Sequence, residues 1–333
     1  MSSIFDRFEL QSFKRMYDNA KAVHKYSHKN TLFILMDMAI CILKDHVGYM
    51  EYNLFHFVNK PQNKRDTYVN FDYSQYLFKT LNEKEYIDLF NDKLKFNEIF
   101  RDYLGRDFLD IEKASYEDFV SFCKGKDVFF CKPADSCSGK GIYKNIYLEE
   151  GSDLHEIYDY LKENKLFVEG SILQHPTMAK LNETSINTVR VVTLLDKNEE
   201  AHVMYALQRI GLKGMSVDNV GSGGIYTVLS QDGKIINPCW SDKTITTYTK
   251  HPSTGMDLIG FEVPYFKEAL ELCKRAAKVE KHIRYVGWDI AISVNGPCIV
   301  EGNPLPGYDM PQNYFVTNKD TGLKPEFEKI LHM

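Results

Sequence analysis

Asp289, Glu301 and Asn303 sit within one short, mostly apolar stretch, Gly287-Trp288-Asp289-Ile290-Ala291-Ile292-Ser293-Val294-Asn295-Gly296-Pro297-Cys298-Ile299-Val300-Glu301-Gly302-Asn303-Pro304. Buried carboxylates are costly unless paired or bound to a cation. The Asn-Gly pair is a strong hairpin signal, so the stretch reads as two strands around a turn. A two-residue Asn295-Gly296 loop would set Ile290 opposite Glu301 and put Asp289 on the other face. A three-residue loop, Val294-Asn295-Gly296 with the glycine left-handed, pairs Ser293 with Pro297 and sets Asp289 opposite Glu301. Asn303 then shares their face. Three oxygen ligands on one face suit magnesium, which takes carboxylates, keeps waters and accepts phosphate oxygens. The plainer alternative is a loop carboxylate beside an ordinary hairpin.

Two further groups could handle an anion. Lys132 ends the apolar run Asp127-Val128-Phe129-Phe130-Cys131, and a lysine there needs a negative partner, which a nucleotide phosphate would supply. The small-residue loop that follows, Ser136-Cys137-Ser138-Gly139-Lys140-Gly141, has the composition of a phosphate cradle. It is not a Walker A loop, and no kinase signature is present. Glu169 ends the next strand and is a candidate acceptor for an adenine amino group, with backbone around Ile172 reading the ring edge. Arg190 and Arg209 lie in or at the end of strands and are candidate clamps for a transferring phosphoryl group or a carboxylate. Structural salt bridges are the competing account for both arginines.

The elements that must position these groups follow from pattern. Residues 1–90 read as mainly helical, with Thr31 as a cap for a helix over Leu32 to Ile42 and a polar loop at Lys60–Arg65. Lys93 to Leu104 suits an amphipathic helix, and Ser115 with Asp118 resembles a capping box for a helix to Cys123. A helix from about Asp153 to Asn164 and a strand from Leu166 to Glu169 follow. Beyond them lie mostly strands, Ile186–Leu195, His202–Ile210 and Ile225–Leu229, then a long amphipathic helix from Glu262 to His282 feeding the hairpin. The expected organisation is a helical region over 1–90, a small lobe over 91–170 and a large lobe over 171–333.

Composition narrows the class. Hydrophobic content of 44% and 26% charged residues describe an ordinary globular chain. A formal net charge of −5 argues against a general nucleic-acid binder. Seven cysteines without a CxxC pair point to reduced thiols and a cytoplasmic protein. The opening residues do not read as a signal peptide, and the run from Leu32 to Leu43 is too short to span a bilayer. The aromatic residues, 21 Tyr and 21 Phe, are enriched in the first hundred positions. They suggest a ring-packed helical core, with a protein-partner surface as the alternative.

Taken together, Lys93, the Lys132-Pro133 strand with its glycine-rich loop, Glu169, Asn187 with Arg190, Arg209, Asn219 with Gly221–Gly224, and Asp289…Glu301-Gly302-Asn303 occur in ATP-grasp order. Over roughly residues 91–312 the chain resembles the ATP-grasp superfamily, and its texture is similar to the sugar-transfer-associated branch. The resemblance implies an α+β fold in which two lobes clasp ATP. Lys93 and Lys132 would meet the phosphates, Ser138, Gly139, Lys140 and Gly141 would close over them, and Glu169 and Ile172 would meet the base. Asp289, Glu301 and Asn303 would bind two magnesium ions, with manganese as a substitute.

The activity implied is a carboxylate–amine ligase that forms an acyl phosphate, with Arg190, Arg209 and Lys132 as catalytic groups. Its substrates would be an amine or amino acid and a sugar acid or other small carboxylate, in cell-surface polysaccharide or related biosynthesis. A small-molecule kinase on the same scaffold, or a non-catalytic adaptor of a glycosyltransferase, are the alternatives. Acyl phosphate chemistry needs positioning and charge neutralisation rather than a nucleophilic side chain, which agrees with the residues present. Where many relatives carry an α/β lobe, this N-terminal third reads helical.

Overall fold

Two antiparallel sheets position everything that follows, one of four strands and one of seven, the larger ending in the hairpin of residues 285–303. The structure, a computed structural model, describes residues 13–133, 144–215 and 217–332. The expected phosphate loop, including Ser138, Gly139, Lys140 and Gly141, lies outside the described residues.

The chain begins as a helical hairpin, α1 (Phe13–Ser27) and α2 (Thr31–Lys44), continued by α3 (Tyr49–Leu54) and α4 (Phe71–Leu81). Asn30 rather than Thr31 caps α2, its side chain accepting from the Leu32 N–H. The polar segment at 60–65 is not merely a loop. Gln62–Arg65 forms a helical turn, and Arg65 reaches inward to Asp37 Oδ2 at 2.9 Å and the Phe57 carbonyl at 2.9 Å. The aromatic residues make a core: Tyr52, Phe55 and Phe57 are buried and pack with rings at centroid spacings of 5.5 to 6.3 Å.

The small sheet holds β1 (Phe108–Leu109), β2 (Val128–Pro133), β3 (Lys144–Tyr147) and β4 (Leu166–Gly170). Against it pack α6 (Tyr116–Cys123) and α7 (Leu154–Glu163), preceded by α5 (Lys93–Ile99). The Ser115–Asp118 capping box forms as the spacing predicts, and Asp153 caps α7. Helix α5 is shorter than expected and passes into a 3-10 turn, Arg101–Tyr103.

The large sheet holds β5 (Val189–Leu195), β6 (Ala201–Ile210), β7 (Ile225–Val228), β8 (Cys239–Ser241), β9 (Thr246–Tyr248), β10 (Tyr285–Ser293) and β11 (Gly296–Asn303). One face carries Trp288, Ile290 and Val191 and packs on Phe90, Phe96, Phe100 and helix α8 (Phe266–Ala276). The other carries Val192, Leu207, Tyr226 and Trp240 and is covered by the N-terminal helices. Helix α8 is much shorter than the expected span from Glu262 to His282. Pro264 cannot donate to a helix, Glu262 bridges to Lys234, and Tyr265 is left-handed, so the chain enters helix only at Phe266.

The hairpin β10–β11 differs from both expected loops. Ser293 pairs with Gly296, leaving Val294-Asn295 as the turn, with Gly296 at φ +113°. That register alone would carry Asp289 to Val300. A bulge between Asp289/Ile290 and the facing strand takes up Val300, so Asp289 pairs with Glu301 and Gly287 with Asn303.

Candidate active site at the junction of the two sheets

On the large sheet, Asp289 has Arg190 as its cross-strand neighbour on one side and Glu301 as its neighbour on the other. Cross-strand neighbours share a face, so the two carboxyls, the guanidinium and Asn303 project together. Arg190 donates through Nη2 to Asp289 Oδ2 at 3.0 Å and through Nε to Oδ1. Arg209, on β6, reaches the same Oδ2 at 2.9 Å. It also donates to Thr188 Oγ1 at 2.7 Å, and Thr188 donates in turn to Asp218 Oδ2 at 2.6 Å. Gly287 has no side chain where one would press on Pro306 and the Arg190 stem, which keeps that guanidinium in line.

Electrostatics separates the two carboxyls. Burial pushes the Asp289 carboxyl up, but Arg190 and Arg209 outweigh it and hold it well below the usual range. Burial and the neighbouring Asp289 charge raise the Glu301 carboxyl. Glu301 keeps an exposed edge even so. Asn303 Nδ2 approaches Glu301 Oε1 at only 3.4 Å, a weak contact. These are hard oxygen donors, and a divalent cation would relieve the charge that Asp289 imposes on Glu301. An ionised carboxylate offers about four lone-pair sites, so the guanidinium contacts do not exhaust Asp289. The donor set therefore fits magnesium.

Gly302 separates the two outward residues for a steric reason. A Cβ there would lie 2.8 Å from the Phe96 ring and 3.0 Å from that of Phe90. Helix α5 thus packs directly on the strand that carries Glu301 and Asn303.

On the small sheet, Lys132 of β2 and Glu169 of β4 meet, Nζ to Oε2, at 2.8 Å. The anion that Lys132 needs is supplied by Glu169 in this structure. Asn97, one turn after Lys93 on α5, also donates to Glu169, and Arg106 Nη2 lies 3.1 Å from its Oε1. With 4% of its surface exposed, Glu169 has both oxygens engaged rather than open to a base. Burial opposes its charge, yet Lys132 and Arg106 hold its pKa at about 2. Lys132 is pulled below its ordinary value by burial and by the charges of Arg106 and Lys93, against the pull of Glu169. Two cations thus bear on one carboxylate, with Lys93 near Lys132.

Arg106 joins the two halves. Besides Glu169 it donates to the carbonyls of Ile299 at 2.8 Å and Val300 at 3.2 Å, beside the bulge that orients Glu301. The second link is the strap after β4: the Val294 N–H donates to the Leu173 carbonyl at 3.1 Å, and Gln174 bridges Ser293. Ile172 lies in this strap, half-buried. Arg106 and Asn97 escape pattern reading, because neither stands in a distinctive local context. Asp218 had one signal, its place beside Asn219. Asn187 proves to be a bracket for backbone: its Nδ2 donates to the Asn182 carbonyl at 2.7 Å and its Oδ1 accepts from the Gly211 N–H at 3.3 Å. Asn219 caps the 3-10 turn Val220–Ser222.

A family model described as sugar-transfer associated ATP-grasp matches residues 72–331. Among solved structures, the chain is similar to the ATP-grasp ligase PsnB complexed with minimal precursor, at 14% identity and TM-score 0.42, covering 75% of this chain and 62% of that one. It is also similar to N5-carboxyaminoimidazole synthase from Aspergillus clavatus, at 10% identity and TM-score 0.39, covering 67% and 46%. The synthetase from Staphylococcus aureus gives 11% identity and TM-score 0.40, covering 66% and 46%. The chain thus spans between 46% and 62% of the length of these structures. No curated protein matches it in sequence.

Proposed function

The chain belongs to the sugar-transfer associated ATP-grasp family, and from that membership together with the site we propose that it is an ATP-dependent carboxylate–amine ligase working through an acyl phosphate. The observation that carries the proposal is the junction itself. A cluster with more cations than anions (Lys132 and Arg106 on Glu169, with Lys93 near Lys132) is bonded through Arg106 to the strand bearing Glu301 and Asn303. One side suits polyphosphate, and the other suits the metal that accompanies it.

In this reading Lys93 and Lys132 bind the phosphates of ATP, and the Ser138–Gly141 loop closes over them. Glu169 holds Lys132 in place, which leaves backbone near Ile172 to meet the base. Asp289, Glu301 and Asn303 hold magnesium, one ion or two, which supplies neutralising charge for the phosphates when bound. Arg190 and Arg209 spend their Nε and Nη2 donors on Asp289 and Thr188. A guanidinium has five N–H donors, so the Nη1 side of each serves the acid or the transferring group.

The acid's carboxylate oxygen attacks the terminal phosphorus of ATP, and ADP leaves. An amine then attacks the acyl carbon, inorganic phosphate departs with the carbon–oxygen electron pair, and the amine gives up a proton. Fixing the reactants and shielding their charge suffices for both displacements. The N-terminal helices cover the sheet face that bears the arginines, so we assign them the acid and amine side of the cleft. We take the acid to be a sugar acid or other small carboxylate used in polysaccharide assembly, in keeping with the family's association with sugar transfer.

The test replaces the native amine with hydroxylamine in the presence of ATP, magnesium and a panel of sugar acids. Formation of ADP, phosphate and a hydroxamate is expected. A stable phosphorylated product without hydroxamate would make the enzyme a kinase, and AMP would remove the acyl phosphate route.

A further inference from the structure

Helix α2 is apolar nearly all round, yet only one side of it is buried. Ile34, Met38 and Cys41 face the core, while Leu32 (66% exposed), Phe33 (46%), Met36 (53%), Ile40 (55%) and Leu43 (64%) face outward. At 100° per residue these five fall within one continuous stripe along the outer side, about 21 Å long for the 14-residue helix. The stripe contains no charge. A helix that only needed solubility would carry polar residues there, and contiguous apolar patches of this kind mark interaction surfaces.

The surroundings say what kind of surface it meets. Lys14, Lys21 and Lys25 are exposed on the antiparallel neighbour α1, and Lys44 ends α2. Lys29, in the turn between the helices, lies with its Nζ 5.6 Å from the Phe33 ring, and Lys21 lies 4.5 Å from the ring of Tyr17. Of the acidic groups here, Asp18 is exposed among the α1 lysines and offsets one of them, while Asp37 is tied inward to Arg65 and Tyr52 and Asp45 accepts from Gln62, so the balance stays basic. A chain of formal charge −5 has therefore set a basic rim around this exposed apolar stripe. Phe13, 80% exposed at the start of α1, adds an aromatic ring to the same hairpin.

We propose that the α1–α2 hairpin docks on an anionic lipid surface, the α2 stripe entering the acyl boundary and the lysines meeting the headgroups. An apolar face flanked by lysines is the pattern of helices that lie in the interface. No helix among the described residues is long and apolar enough to cross a membrane, so the contact is peripheral. Charge favours lipid over a second copy, because a symmetric dimer through this face would set the lysine rims against each other. It also favours lipid over a protein partner, since the stripe offers no hydrogen-bonding group to specify one.

The test is co-sedimentation of the full chain with vesicles of phosphatidylcholine, alone or mixed with phosphatidylglycerol. The chain is expected to partition to the anionic vesicles only, and less so as salt rises. Met36→Glu with Ile40→Glu, both on exposed positions, should lower partitioning by at least about tenfold. Lys21→Glu with Lys25→Glu should lower it by about fivefold or more per residue, a second readout that leaves the stripe intact. The proposal is overturned if the unaltered chain ignores anionic vesicles, if either double variant binds as well as it does, or if sedimentation velocity without lipid shows a dimer that the Glu pair dissociates.

Discussion

Asp289 faces Glu301 across the β10–β11 hairpin because Val300 is left over in a bulge, and the same Val300 offers its carbonyl to Arg106. One irregular residue thus aligns the two carboxyls and ties them to the small sheet. Without it the strict alternation of a two-residue turn would put Glu301 on the far face.

The two carboxyls carry different structural burdens, so their isosteric variants should separate. Asp289→Asn leaves Arg190 and Arg209 facing an amide, and breaking a buried pair this way costs about 3–5 kcal/mol. Glu301→Gln relieves repulsion with Asp289 and should leave stability unchanged or slightly higher. Both should abolish ATP turnover. Urea denaturation followed alongside ADP release checks this; equal destabilisation by the two variants would contradict the arrangement described.

Arg106 meets three acceptors on two sheets, and Lys cannot reproduce a planar fork. Arg106→Lys should lower ATP affinity roughly as much as Lys132→Ala does, although we assign Arg106 no direct contact with phosphate. Nucleotide titrations on the purified variants decide it. Unaltered ATP binding in Arg106→Lys would mean that the junction does not depend on this bridge.

Stability should carry a pH signature from Asp242. Burial and the charge of Asp309 raise its pKa to about 6, against a hydrogen bond from Trp240 that lowers it. Below the unfolded value near 3.8 both states are protonated. As pH climbs from there to about 6 the folded state holds the proton more tightly, so stability falls across that window and stays reduced above it. Asp242→Asn keeps an acceptor for the Trp240 N–H and removes the titration. Its melting temperature should exceed the unaltered protein's at pH 7 and by much less at pH 4. Glu169 has the opposite sign, its contribution being present above about 4.5 and lost as pH falls toward about 2.

What the sequence determined by itself is what neighbours within a few residues decide. The Ser115–Asp118 box, the helix from Asp153, strands β2 and β4 and the shared face of Glu301 and Asn303 were legible because caps and strand alternation are local, whereas Asp289 joins that face only through the Val300 bulge. The ATP-grasp order of lysines, arginines and terminal carboxylates was legible too, since order along a chain survives when spacing drifts. The tertiary structure decided what those groups touch. Lys132 finds Glu169, Glu169 finds Asn97 and Arg106, and Asp289 finds two arginines, 99 and 80 residues earlier in the chain. Pro264 and a left-handed Tyr265 shortened a helix whose periodicity ran further, because β-bridging to Lys234 outweighed propensity. A buried charge takes whichever partner packing delivers, and packing is a property of the whole chain.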